Sequence, residues 1–390
     1  MVTWSEPRTV SILGSTGSVG TSTVDLLLRH PGRFRVVALA AGRNAKLLAE
    51  QAIALDAEMV ALDDPEELPE LRAALAGRPT EILSGPGAVL EAARRPADWT
   101  MASIVGAAGL KPTLEAVRRG QIVALANKEA LVCAGHLFMA EAQAAGATIL
   151  PVDSEHNAIF QVFDDQRRAG IDKIILTASG GPFRTLSRQQ MSTKTPEEAA
   201  AHPNWSMGLK ISIDSASMFN KGLEMIEAAH LFRMTEDRIQ VLVHPQSVVH
   251  SLVSYIDGSV LAQLGVPDMR TPIAHTLAWP ERMPSPTERL DLSTWGQLTF
   301  EAPDEERFPA LRLARAALAA GEAAPPVLNA ANEVAVAAFV ERRIGFCDIP
   351  SIVESTIDRL VGERVPSLDD VFAIDERARR LAGEAVRAVA

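Results

Sequence analysis

Across residues 1–150, short β-branched or apolar runs alternate with Ala/Leu-rich stretches of helical spacing, and few folds accept that rhythm. The runs are Thr9–Leu13, Phe34–Leu39, Met59–Leu62, Ile104–Val105, Ile122–Leu125 and Thr148–Leu150, with helical stretches at Ser22–Arg29, Ala45–Leu55 and Pro112–Arg119. Strands alternating with helices in this way predict βαβ units, a parallel sheet covered on both faces. The chain is therefore expected to be α/β, with a Rossmann-like domain over 1–150.

The texture changes after Pro151. Lys173–Thr177 is a buried-strand run, and Ser251–Ile256 and Ser259–Leu264 flank Asp257-Gly258, a pair that suits a type I′ hairpin turn. Residues 151–279 are expected to form an α+β domain with some antiparallel pairing. The proline-rich, polar stretch 280–307 reads as a linker. Residues 308–390 have helical periodicity and predict three or four helices, the last opened by a capping box at Ser367 and Asp370.

Composition removes several function classes. With 390 residues, 47% hydrophobic and 22% charged, the chain can bury a core in more than one domain. No apolar stretch is long enough to span a membrane, and the first residues lack the basic start and apolar core of a signal peptide. Thirty-eight Lys+Arg against 49 Asp+Glu give a net charge of −11, which argues against nucleic-acid binding. Two cysteines, Cys133 and Cys347, cannot build a disulfide framework or a four-thiolate zinc site. A reducing cytoplasm is the expected setting.

Gly14-Ser15-Thr16-Gly17-Ser18-Val19-Gly20 follows the first predicted strand and precedes a helix. A dinucleotide pyrophosphate would lie there, held by N–H groups at the positive end of the helix. The second strand runs into Gly42-Arg43-Asn44 with no Asp or Glu to take a ribose 2′-hydroxyl. The Arg43 guanidinium suits a 2′-phosphate instead, so NADP is expected over NAD.

Two further segments carry chemistry. Thr148-Ile149-Leu150 ends in Pro151-Val152-Asp153-Ser154-Glu155-His156. In an extended segment, Asp153 and Glu155 would project to one side and suit Mg²⁺ or Mn²⁺; the alternative is a helix-capping Asp153 and a solvated Glu155. The segment 202–224 is dense in donors: Ser215, Asn220 and Lys221 are phosphate candidates, joined by Ser179 from a Ser-Gly-Gly turn. Glu224 could complete a three-carboxylate metal site, and residues 202–208, with Trp205 and Met207 at the tip, read as a lid.

At these residues the sequence resembles the 1-deoxy-D-xylulose 5-phosphate reductoisomerase family. The landmarks are GSTGSVG (14–20), LANKEALV (125–132), PVDSEHNAIFQ (151–161), LTASGGPF (176–183), HPNWSMGLKISIDSAS (202–217), NKGLE (220–224), HPQSVVHS (244–251) and VLNAANEVAVAAF (327–339). The resemblance implies an NADPH- and divalent-metal-dependent enzyme that rearranges a sugar phosphate and reduces it, and a homodimer. By position it implies cofactor contacts at Thr16, Gly17, Ser18, Val19, Gly42, Arg43, Asn44, Asn127, Glu129 and Gly208. It implies metal ligands at Asp153, Glu155 and Glu224. Substrate contacts fall on Lys128, Ser154, Glu155, Ser179, His202, Trp205, Ser215, Asn220, Lys221 and Glu224, and the catalytic set on Lys128, Asp153, Glu155, His202 and Glu224. Phe219 stands where the family more usually has Met; a bulkier ring there could alter packing beside the phosphate residues.

Two other readings remain open from the residues themselves. A plain NADP-dependent dehydrogenase would use the carboxylates only as caps and turn over without metal. An NADP-binding sensor would hold cofactor and turn over nothing.

Overall fold

Seven strands form the first sheet of the computed structural model, which describes residues 6–205 and 208–389. They are β1 (Arg8–Leu13), β2 (Phe34–Ala41), β3 (Met59–Leu62), β4 (Glu81–Ser84), β5 (Trp99–Ala102), β6 (Ile122–Leu125) and β7 (Thr148–Pro151). Their order is β4-β3-β2-β1-β5-β6-β7, and every neighbouring pair is parallel. The expected Rossmann-like sheet is present. The chain leaves β1 towards one edge and returns to its other side at β5, so the strand order reverses there. Ligands of such sheets bind at the carboxyl ends of the strands flanking that reversal.

Two strands differ from expectation. Ile104–Val105 lies in a loop, and the strand is β5, five residues earlier at its start. Ser103 ends it: its N–H and hydroxyl both bond to Leu13 O, at 2.9 and 2.8 Å, where β1 itself gives way to Gly14. Strand β4 carries no apolar run because it is a half-exposed edge.

The chain divides into two units, one of Met1–Ala130, Phe138–Asn157 and Asp268–Glu288, the other of Leu131–Leu137, Ala158–Pro267 and Arg289–Ala390. The first unit thus reaches past the expected boundary at residue 150 and takes up 268–288. Two forces hold that segment. Arg8 donates to Leu277 O at 2.6 Å and to Trp279 O at 3.0 Å, and Ile273 and Leu277 are buried in one core with Val10, Leu26 and Leu39. The helices α1 (Ser18–Leu28) and α2 (Ala45–Leu55) contribute Leu26 and Leu48 to that core.

In the second unit, β8 (Ile171–Ala178), β9 (Ile239–Val243), β10 (Val249–Tyr255) and β11 (Val260–Leu264) lie in the order β11-β10-β8-β9. Only β8 and β9 pair in parallel, so the antiparallel hairpin is where the sequence places it. Its turn is not type I′. Gly258 has φ +88° while Asp257 does not have positive φ, and Gly258 N donates to Tyr255 O at 3.0 Å. Ile256 and Asp257 therefore make an ordinary turn followed by one left-handed glycine. Asp257 is held there by its own carboxylate, which accepts from Ser259 N at 2.8 Å.

Among the described residues, four α-helices follow residue 308: Ala310–Ala320, Ala324–Val340, Ile349–Leu360 and Leu368–Val389. Ser367 caps the last by accepting from Asp370 N at 3.3 Å, and its hydroxyl donates to the Asp370 carboxylate at 2.5 Å. Among the described residues, no helix is long and apolar enough to cross a membrane.

Candidate active site

The glycine run forms the turn between β1 and α1, at the strand-order reversal. A Cβ on Gly14 (φ +90°) would lie 2.9 Å from the Ser103 carbonyl, and one on Gly20 would lie 2.2 Å from Gly14 O and 2.5 Å from Ser15 O. Both positions must be glycine if the turn is to close this tightly. Gly17 precedes α1 without a side-chain cap, so Ser18 and Val19 present the first-turn N–H groups that an anion needs, with Thr16 in the turn itself. This cradle fits a dinucleotide pyrophosphate.

Past the end of β2, Gly42, Arg43 and Asn44 lead into α2, whose first turn Asn44 caps by accepting from Leu47 N at 3.1 Å. Arg43 is exposed, and its Nε lies 3.1 Å from Asp64 Oδ2. Sequence reasoning did not single out Asp64; a carboxylate after a strand has the look of an ordinary cap.

After β6, Asn127 is buried, accepts from Ala130 N at 3.2 Å and donates to Gly106 O at 3.2 Å. Lys128 and Glu129 follow at the start of the helix Glu129–Ala145. Lys128 Nζ lies 2.7 Å from Asp153 Oδ2.

Asp153 and Glu155 are not in an extended segment. Asp153 stands one residue before the helix Ser154–Val162, and its Oδ1 accepts from Glu155 N at 3.3 Å. The acidic pair therefore belongs to a helical first turn, favoured by the positive end of the helix. The same Oδ1 lies 3.3 Å from Nδ1 of the fully buried His156, and the Ser154 hydroxyl donates to Glu155 at 2.5 Å.

In the second unit, β8 ends in Ser179-Gly180-Gly181, both glycines left-handed. A Cβ on Gly181 would lie 2.7 Å from Ser215 O, so the glycine lets this turn press against the helix Leu209–Ser217, which carries Ser215. Gly208 precedes that helix. His202 Nδ1 accepts from Trp205 N at 2.9 Å and Asn204 N at 3.2 Å. That leaves the proton on Nε2, which donates to Ser179 Oγ at 2.9 Å. Trp205 packs near His250, ring centroids 6.1 Å apart; Ser206 and Met207 of the expected lid lie outside the described residues.

Met218 (φ +67°) breaks the chain between the helices Leu209–Ser217 and Phe219–Leu231. Phe219 is fully buried, which is how its bulk is accommodated. Asn220 donates to Glu224 Oε1 at 2.5 Å, and Lys221 forms a buried ion pair with the same carboxylate. Two residues outside the expected set brace the neighbouring helix: Asn332 donates to the buried Asp214 at 2.9 Å, and Lys210 pairs with it at 2.5 Å. No local pattern could reveal a contact 118 residues apart. Further along, burial and nearby His136 push His230 down to about 4.

Three family models match in order: 1-deoxy-D-xylulose 5-phosphate reductoisomerase over residues 10–135, its C-terminal domain over 149–232 and the DXP reductoisomerase C-terminal domain over 264–381. A 1-deoxy-D-xylulose 5-phosphate reductoisomerase of Rhodospirillum centenum is 62% identical over 98% of this chain and 95% of its own. That of Zymomonas mobilis is 57% identical over 96% of this chain and 97% of its own. A solved reductoisomerase from Zymomonas mobilis in complex with NADPH superposes with a TM-score of 0.94 at 55% identity, covering 98% of this chain and 99% of the other. Another, in complex with NADPH, fosmidomycin and magnesium, has a TM-score of 0.91 at 45% identity, covering 97% and 98%. With matches of this strength from end to end, the chain belongs to the 1-deoxy-D-xylulose 5-phosphate reductoisomerase family.

Proposed function

We propose that the chain converts 1-deoxy-D-xylulose 5-phosphate to 2-C-methyl-D-erythritol 4-phosphate, the rearranging and reducing step of non-mevalonate isoprenoid biosynthesis, with NADPH and Mg²⁺ or Mn²⁺ as cofactors. The observation that carries this reading is the run of three reductoisomerase models along one chain. NADPH supplies the hydride, and a divalent cation supplies Lewis acidity at the substrate carbonyl.

The chain's own residues bind and orient. Thr16, Gly17, Ser18 and Val19 hold the pyrophosphate, and Gly42, Arg43 and Asn44 the 2′-phosphate end; Asn127, Glu129 and Gly208 complete the cofactor contacts. Asp153, Glu155 and Glu224 are the oxygen ligands, all-carboxylate chemistry that suits Mg²⁺ or Mn²⁺. Ser179, Ser215, Asn220 and Lys221 take the substrate phosphate, whose binding energy serves to position the reacting carbons. His202 orients Ser179, Lys128, Ser154 and Glu155 face the reacting end with proton transfers assigned to Lys128 and Glu155, and Trp205 covers the substrate. A cytoplasmic homodimer completes the proposal.

Pure protein mixed with NADPH, Mn²⁺ and 1-deoxy-D-xylulose 5-phosphate should consume reduced nicotinamide, followed by its absorbance, and stop on addition of chelator. Turnover that survives chelator would leave a plain dehydrogenase. Cofactor binding without turnover would leave a sensor.

A further inference from the structure

The pairing of β2 with β3 continues past both strands: Asp63 N donates to Ala41 O and Asp64 N to Gly42 O, each at 3.0 Å. That register sets the Asp64 backbone alongside the residue before Arg43. The Asp64 carboxylate is anchored, because Oδ1 accepts from Glu66 N at 3.0 Å and caps the short turn Pro65–Glu67. Its Oδ2 lies 3.1 Å from Arg43 Nε. The Asp64 side chain is 20% exposed and that of Arg43 86%, so the acid is the fixed member of the pair and the guanidinium the movable one.

We propose that Asp64 is a specificity-determining residue, setting how strongly the chain prefers NADPH over NADH. The inference rests on the assignment of Arg43 to the 2′-phosphate and adds a counterweight to it. An incoming 2′-phosphate competes with Asp64 for the same guanidinium edge and meets a like charge beside it. A ribose 2′-hydroxyl meets neither obstacle, and it can donate a hydrogen bond to the carboxylate. Asp64 thus weakens NADPH binding and supports NADH binding. Asparagine at this position keeps the cap, since Asn and Asp serve equally at helix starts, and removes only the charge.

The test is to measure dissociation constants for NADPH and NADH on the full chain, by tryptophan fluorescence quenching, for the wild type, Asp64→Asn and Arg43→Ala. Asp64→Asn should tighten NADPH roughly three- to fivefold, the scale of an exposed ion pair, and weaken NADH. The gain should shrink at high salt. Equal changes for both cofactors would place Asp64 at a part they share and overturn the proposal; so would weaker NADPH binding, which would make Asp64 a support for Arg43. Arg43→Ala separates the two levels. If it lowers the NADPH preference while Asp64→Asn does nothing, only the role of Asp64 falls. If it leaves the preference intact, the 2′-phosphate assignment falls and takes this inference with it.

Discussion

Lys128 Nζ lies 2.7 Å from Asp153 Oδ2, with each side chain only 12% exposed. The ammonium and a proposed metal ligand are thus bound to each other through a contact that screens the carboxylate's charge. Lys128→Met removes that screening. It should therefore bind Mn²⁺ at least as tightly as the wild type, while turnover falls about 10²-fold or more through loss of a proton-transfer group. Electron paramagnetic resonance of free Mn²⁺, set beside steady-state rates, reads both quantities. Weaker Mn²⁺ binding in this variant would show that Lys128 supports the metal.

Glu224 has a double task, because its carboxylate also neutralises the buried Lys221. Glu224→Gln keeps the shape and an acceptor for Asn220 but removes the negative charge that faces the Lys221 ammonium. Breaking a buried pair in this way costs about 3–5 kcal/mol, so a lower Tm should accompany the loss of activity. NADPH affinity should be nearly unchanged, and the response to added Mn²⁺ should weaken. Full activity with a normal metal response would remove Glu224 from the site.

How much of this was legible in the sequence depended on whether the determinant was local. The β1 turn was legible because backbone approach at Gly14 and Gly20 admits no side chain. Strands β3 and β6 were legible because buried parallel strands are continuous apolar runs. The Ile104–Val105 expectation failed because a loop at the strand-order reversal exposes apolar residues; Val105 is 73% exposed, and a dipeptide has no periodicity to betray this. Asp153 and Glu155 were found for their chemistry; the extended placement failed, and the alternative of a helix-capping Asp153 holds, with the helix beginning three residues after the strand ends at Pro151. Asp64 and Asn332 acquire partners only through β2–β3 register and tertiary packing.

Gly20→Ala tests the cofactor cradle. Its Cβ would lie 2.2 Å from Gly14 O and 2.5 Å from Ser15 O, both backbone atoms that cannot swing aside. The turn must open, which costs about 1–3 kcal/mol of stability and misaligns the N–H groups at the start of α1. NADPH dissociation constants should rise about tenfold, equivalent to roughly 1.4 kcal/mol. Gly42→Ala is the control for stability, because a Cβ there meets nothing within 4 Å. Unaltered NADPH affinity in Gly20→Ala would mean that the pyrophosphate lies elsewhere.

Two histidines set an acid limit on stability. Burial, aided by His136, holds His230 down to about 4, and burial, aided by Arg282, does the same to His275. Both are neutral when folded and take up a proton more readily when unfolded, near the ordinary value of 6.5. Between those values the unfolded chain binds more protons, so stability is complete above pH 6.5 and drains away as the pH falls towards 4. Each histidine contributes on the order of 3 kcal/mol over that window. His230 has little room to escape, since its ring lies 2.3 Å from where a Cβ on Gly135 would stand. Urea midpoints measured from pH 7 to pH 4 should fall steeply in the wild type. In His230→Phe, which keeps an aromatic ring without a proton site, the slope should be about half. A wild-type profile that stays flat through the window would mean that neither imidazole is held neutral by burial.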